Sequence, residues 1–253
     1  MPAETFRHVY TRLLAAYGPQ GWWPVGRLTG MHASDSGGRE YHPGDYSRAA
    51  SRDERFEIIT GAILTQNTSW RNVRRALDAL RRGGVDTPER LESTPHDVLA
   101  SLVRSSGTYN LKAERLRELN RTLLDGGHFD GAGAPGRAGL LAVRGVGPET
   151  ADSILLYAYG RPAFVIDAYT RRLFARLGLI PREAGYEQAR AAFMRALPPE
   201  PALYNEYHAL IVAHGKEWCT TRPLCAGCPI QALCPSGGRT AEDGLAGTEG
   251  SEG

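Results

Sequence analysis

The sequence lacks several features that would assign it to a class at once. No apolar run approaches the ~18 residues of a membrane span, so no transmembrane helix is expected. The opening Met1-Pro-Ala-Glu-Thr5 has neither the basic nor the apolar region of a secretory signal. Net charge is only +2, too little to announce a nucleic-acid partner. Arginines such as Arg71, Arg74, Arg75, Arg81 and Arg82 read as solvated helix faces. There are only four cysteines, all between Cys219 and Cys234. Together these absences predict a cytoplasmic protein without a membrane partner. In a reducing cytosol four thiols suit metal ligation better than disulfides. Alternating strand patterns and internal repeats are missing too. Hydrophobic residues make up 42% of the chain, enough for a core, so the expectation is an all-α protein.

The helical signals run in order. Phe6, Val9, Tyr10, Leu13, Leu14 and Tyr17 form one apolar stripe, stopped by Gly18-Pro19. Trp22-Trp23-Pro24 follows; adjacent tryptophans suit core packing or, alternatively, a stacking wall for a base. Residues 25–50 show no period and read as an inserted loop. Phe56–Leu64 and Trp70–Leu80 predict helices, and Thr65-Gln-Asn-Thr68 lies between them. Thr87-Pro88 and Thr94-Pro95 read as helix starts. Lys112–Leu124 is a further helix. Ala168–Leu177, Tyr186–Leu197 and Tyr204–Lys216 complete the series, with Pro198, Pro199 and Pro201 breaking the chain. The tail at 235–253 is too polar to pack.

The most informative stretch is Leu140–Leu156. Arg137–Arg144 can form a short helix ending at Gly145. Gly145-Val-Gly147 makes a tight turn. Pro148 suits the first position of the next helix, where Ala151, Ile154, Leu155 and Ala158 share a face. Such a hairpin offers backbone N–H groups to a phosphate at a helix start, although a plain glycine-turned αα-hairpin would look the same.

The hairpin, the Gly160-Arg-Pro162 link and Asp167 together resemble the endonuclease III, or helix-hairpin-helix, superfamily of DNA glycosylases. Gly107-Thr-Tyr-Asn-Leu-Lys-Ala113 is similar to the superfamily's Gly-x-Tyr-Asn-x-Lys-Ala signature. Ala62–Thr68 looks like the segment whose glutamine or asparagine wedges into the duplex, and His214-Gly-Lys216 before Cys219 resembles its His-Gly-basic run. Trp22-Trp-Pro24 and Thr65-Gln-Asn-Thr68 look most like the 3-methyladenine DNA glycosylase III branch. That branch's pocket implies Trp22, Trp23, Pro24, Phe56 and Lys216 around the base. Two departures stand out: the loop at 25–50, and four cysteines that resemble endonuclease III rather than this branch.

The resemblance implies two helical lobes: a six-helix barrel with the hairpin at 57–164, and a second lobe of 1–56 with 165–234. It implies damaged double-stranded DNA in the cleft between them, and a monomeric, nucleoid-associated enzyme. Gln66 or Asn67 would fill the hole left by a flipped base; Gly145, Gly147, Thr150 and Arg222 would face the DNA backbone. Asp167 would stabilise an oxocarbenium-like sugar or activate water, though its position also fits a helix N-cap. Cys219-x5-Cys225-x2-Cys228-x5-Cys234 permits zinc or a [4Fe–4S] cluster; the family pattern implies the cluster, with one residue more in its first gap. Glu149 stands eighteen residues before Asp167, where bifunctional members carry a lysine. This implies a monofunctional enzyme, and the resemblance to the 3-methyladenine branch, with its aromatic wall, implies alkylated purines as the substrate. The alternatives are a bifunctional enzyme on oxidised pyrimidines, a non-catalytic binder of damaged DNA and a zinc-stapled interaction module.

Overall fold

The computed structural model describes residues 2–26, 41–44, 51–130 and 133–237. Most of the expected insertion and most of the polar tail lie outside these residues. Among the described residues the chain is helical and forms no strand. The helices are α1 (Pro2–Tyr17), α2 (Arg52–Leu64), α3 (Trp70–Arg82), α4 (Pro88–Ser93), α5 (His96–Leu102), α6 (Tyr109–Asp125), α7 (Arg137–Ala142), α8 (Pro148–Ser153), α9 (Ala168–Arg176), α10 (Tyr186–Ala196) and α11 (Pro201–Glu217). No helix among them is long and apolar enough to cross a membrane.

Capping chemistry sets several boundaries. α2 starts four residues before the expected Phe56, at a capping box: Ser51 Oγ accepts from Glu54 N–H, and Glu54 Oε2 accepts from Ser51 N–H at 2.9 Å. The Ser-x-x-Glu pattern was visible in the sequence. Thr87 caps α4 with Pro88 behind it, as expected. Thr94 does not cap α5; it ends α4, and Pro95 occupies the cap position. Pro201, expected to break the chain, instead opens α11, where a missing N–H costs nothing.

The chain divides into two compact units. The first comprises Met1–Gln20, Ile166–Pro198 and Glu206–Gly253. Its core joins α1, α9 and α10 through Phe6, Phe174 and Phe193, whose ring centroids lie 4.4–5.1 Å apart. Tyr207 Oη donates to the Phe6 carbonyl at 2.7 Å. The second comprises Gly21–Val165 and Pro199–Asn205. Residues 21–26 and 51–56 therefore pack with the hairpin-bearing unit, where the sequence reading set them beside the N-terminal helix.

Within the second unit, Lys112 from α6 is 1% exposed. Its ammonium donates to the carbonyls of Leu64 (2.8 Å) and Ser106 (2.6 Å), tying the end of α2 to the turn before α6. Burial lowers its pKa to about 8, with nearby Arg115 adding to the effect.

Candidate functional site

The hairpin is α7, Gly145-Val146-Gly147, α8. Gly145 sits at φ +87°, in the left-handed region that glycine tolerates. Gly147 is the N-cap of α8 and Pro148 follows at its first position. Arg137 at the start of α7 grips Asp152 in α8 with two bonds of 2.8 and 3.1 Å, and Asp152 is fully buried. This paired charge fixes the two short helices against each other; neither six-residue segment would hold alone. A π-helical turn, Ile154–Ala158, continues from α8.

The loop Thr65–Thr68 is tied to the hairpin. Gln66 Nε2 donates to the Gly145 carbonyl and to Thr150 Oγ1, each at 3.0 Å. Arg115 Nη1 donates to Gln66 Oε1 at 2.6 Å. Gln66 and Thr150, both expected to meet DNA, thus bond to each other, and Thr150 is buried. Asn67 is exposed and sits at φ +52°.

Three large aromatic rings of the second unit, Trp70, Tyr41 and Tyr157, meet around the Trp22-Trp23 pair. Trp22 is 5.4 Å from Trp70 and 5.8 Å from Tyr41 by ring centroid. Trp23 lies 5.3 Å from both Trp70 and Tyr157. Their openness differs. Trp23 is 5% exposed and lies over Gly61, where a Cβ would stand 2.8 Å from its ring. Phe56 is buried, with Phe129 as its ring partner, and Pro24 is buried. Among the expected wall residues of the second unit, Trp22, Trp23, Pro24 and Phe56, only Trp22 keeps part of its surface open. Trp70 begins α3, and the sequence reading saw it only as a helix start.

In the first unit, Asp167 caps α9: its Oδ1 accepts from Thr170 N–H at 2.7 Å. His208 Nε2 lies 3.6 Å from Oδ2. Burial pushes the Asp167 carboxyl up, but His208 and the Thr170 donors together outweigh it. The net pKa lies below the ordinary carboxylate value. Lys216 is exposed; partial desolvation lowers its pKa against the opposing charge of Asp167. His208 escaped the sequence reading because nothing in its spacing marks a side chain brought up by a separate helix.

The four cysteines line one cavity of the first unit. Arg176 Nη1 donates to Cys219 Sγ at 3.1 Å and to the Thr220 carbonyl at 2.6 Å. Arg172 Nε holds the Cys219 carbonyl at 2.7 Å. Cys228 Sγ is 3.6 Å from His214 Nε2, and His214 Nδ1 is 2.9 Å from Tyr17 Oη. Burial lowers the His214 pKa to about 4, so the ring is neutral at pH 7. Among the described residues no three His, Cys, Asp or Glu side chains close around a single ion. The donor set is nonetheless four sulfurs on one cavity with a guanidinium beside them, which fits a group bound by four thiolates. Arg222 in this loop is exposed.

Several known proteins are similar to this chain. A protein of Methanocaldococcus jannaschii assigned to the DNA repair glycosylases is 39% identical over 240 residues, covering 92% of this chain and 97% of its own. Endonuclease III of Thermotoga maritima is 27% identical over 190 residues, 75% of this chain and 86% of its own. Among solved structures, a non-covalent endonuclease III–DNA complex superposes with a TM-score of 0.71 at 21% identity, covering 93% of this chain and 96% of the other. The 3-methyladenine DNA glycosylase of H. pylori bound to 1,N6-ethenoadenine gives 0.61 at 25% identity, over 85% and 97%. The family model for HhH-GPD superfamily base excision DNA repair proteins matches residues 60–199, which include α3 to α10, the hairpin and Asp167. The chain belongs to the HhH-GPD superfamily of base excision DNA repair proteins.

Proposed function

We propose that this protein is a monofunctional DNA glycosylase that removes alkylated purines such as 3-methyladenine from duplex DNA. The observation that carries the reading is Asp167, a carboxylate kept anionic by Thr170 N–H and His208 at the head of a rigid helix. A fixed anion can stabilise the positive charge that develops on the sugar as the glycosidic bond breaks, and can orient water toward C1′. An alkylated purine is cationic and leaves readily. The face of Trp22 would attract it, with Trp70 behind. The hairpin would hold a phosphate without reading sequence.

The cysteine loop would bind a [4Fe–4S] cluster through Cys219, Cys225, Cys228 and Cys234. A bound cluster would supply a cross-link among four thiolates. Arg172 and Arg176 of α9 grip the same loop, so that cross-link would steady the helix that Asp167 caps, and would leave exposed Arg222 free for a phosphate.

The test is a panel of duplexes carrying 3-methyladenine, thymine glycol, uracil or an abasic site, treated with alkali after reaction. Excision of 3-methyladenine by the wild type and its loss in Asp167→Asn is the expected result. Wild-type excision by Asp167→Asn would remove that residue from catalysis. Cleavage of thymine glycol alone would move the substrate to oxidised pyrimidines. Binding without excision of any lesion would leave a damaged-DNA binder.

A further inference from the structure

Three side chains of the first unit form a chain from α1 to the cysteine loop. Tyr17, the last residue of α1, places its Oη 2.9 Å from His214 Nδ1 in α11. On the other side of the same ring, His214 Nε2 lies 3.6 Å from Cys228 Sγ. His214 is fully buried, so its two ring nitrogens rely on these two partners rather than on water. The backbone of His214 serves the loop as well. Its carbonyl accepts from Trp218 N–H at 2.9 Å and from Cys219 N–H at 3.0 Å. One residue therefore holds the first cysteine of the loop through its main chain and meets the third through its ring.

The direction of the chain follows from the chemistry at its end. A metal-ligating cysteine is a thiolate and has no proton to give. The bond to Cys228 must then be donated by Nε2–H. A neutral imidazole carries one N–H, so Nδ1 is the acceptor, and the Tyr17 hydroxyl donates to it. A metal-free thiol would instead give its proton to Nε2 and turn the whole chain round. Tyr17 donation and metal ligation thus select the same tautomer.

We propose that His214 is a hydrogen-bond donor to the Cys228 thiolate of a bound cluster, and that Tyr17 is the positioning residue that fixes the ring in its donating tautomer. This inference rests on the cysteine loop binding a [4Fe–4S] cluster, as proposed above, and not on which lesion is excised. Hydrogen bonds to the ligating sulfurs are one of the determinants of a cluster's reduction potential. Reduction adds negative charge at the sulfurs, so a donor there is held more tightly in the reduced state and raises the potential. Arg176 from α9 stands in the same relation to Cys219 Sγ at 3.1 Å. His214 supplies the corresponding donor for Cys228, and α1 orients it.

The probe is the purified full chain with iron measured per chain. Voltammetry of a protein film reads the potential, and 15N NMR of labelled histidine reads the tautomer of His214, identified by its hyperfine shift. In the iron-loaded wild type Nε2 should carry the proton and Nδ1 should be bare. Tyr17→Phe keeps the ring beside His214 and removes only the hydroxyl; it should load iron normally and show a lower potential. His214→Leu should lower the potential further. His214→Gln offers an amide N–H in place of the ring donor and should recover part of that loss. Adding Tyr17→Phe to His214→Leu should lower the potential no more, because Tyr17 acts only through the ring. A proton on Nδ1 in the iron-loaded wild type would overturn the proposal, and this reading stands even where His214→Leu fails to load iron. Iron-loaded Tyr17→Phe at the wild-type potential would overturn the role of Tyr17, and iron-loaded His214→Leu at that potential would overturn the donor. A wild type holding zinc and no iron would overturn the cluster reading itself, before any variant is compared.

Discussion

Nε2 of His208 lies 3.6 Å from Oδ2 of Asp167, while Thr170 N–H holds Oδ1 at 2.7 Å. Both oxygens of one carboxylate are engaged on a helix cap. For Asp167, burial is the largest single influence and favours the neutral acid, yet the two partners overcome it. A carboxylate with a depressed pKa stays charged as pH falls, and protonates only below its ordinary range. The acid limb of wild-type excision should therefore lie at or below the usual aspartate titration. In His208→Phe the burial is opposed by less, so the limb should move up. A pH–rate profile for both proteins checks this. An unmoved limb would assign the low pKa to Thr170 alone.

The helix caps behind that geometry were legible because they are local. Asp167 before Ala168 and Thr87 before Pro88 each accept from the N–H three residues on, and Gly147 before Pro148 marks a helix start by its residue types, so the sequence carries their whole logic. The start of α6 was not legible. It begins at Tyr109, three residues earlier than the apolar spacing indicated, because Thr108 takes up a left-handed backbone that no pattern announces. Long-range partners were invisible for the same reason. His208 meets Asp167 across 41 residues, and Arg115 meets Gln66 across 49. Only packing brings such pairs together. The aromatic pair shows a third limit: Trp22 and Trp23 are adjacent and chemically identical, and only burial separates them.

That separation gives a prediction. Trp23→Ala would empty a packed site against Gly61, Trp70 and Tyr157, and should cost about 3 to 5 kcal/mol of stability, as for large core truncations. Trp22→Ala should melt nearly as the wild type, but excise roughly five- to hundredfold more slowly if the ring stacks on the base. Thermal melting and single-turnover excision read the two effects separately. Equal destabilisation with normal excision by the folded fraction would make both rings core.

Lys112 predicts a stability signature. Its folded pKa of about 8 is below the ordinary lysine value of 10.5. Between those values the unfolded chain binds the extra proton, so stability from this group rises with pH across that window. Lys112→Met should lack this rise. Subtracting its denaturation curves from those of the wild type between pH 8 and 10 should leave a positive slope, amounting to on the order of 1 to 3 kcal/mol. A flat difference would mean that the two carbonyl bonds keep the ammonium charged.

The cysteine loop should give a brown protein with absorption near ~400 nm, as for thiolate-ligated iron. Arg176 Nη1 contacts Cys219 Sγ and the Thr220 carbonyl from α9. Arg176→Ala should therefore bleach faster in air than the wild type. A colourless protein with stoichiometric zinc would replace the cluster by zinc.

The last prediction concerns how far the reaction proceeds. A lyase needs an amine to attack C1′ and form a Schiff base before strand elimination. The family resemblance puts Glu149 where bifunctional members carry a lysine; Glu149 is exposed in the first turn of α8, where a negative charge is favourable, and a carboxylate cannot form a Schiff base. Lys216 is the competing amine. Its pKa is lowered by desolvation, which enlarges its nucleophilic neutral fraction, but the charge of Asp167 pulls the other way. The Asp167 carboxylate favours the ammonium form, which is no nucleophile. Borohydride added during reaction with a lesion duplex should therefore trap no protein–DNA adduct, and the product should be an intact abasic strand that breaks only in alkali. A covalent adduct that disappears in Lys216→Ala would overturn this and make Lys216 the nucleophile of a bifunctional enzyme. An adduct that survives in Lys216→Ala would place the amine elsewhere, and Glu149→Lys would then serve as the positive control for trapping at the hairpin.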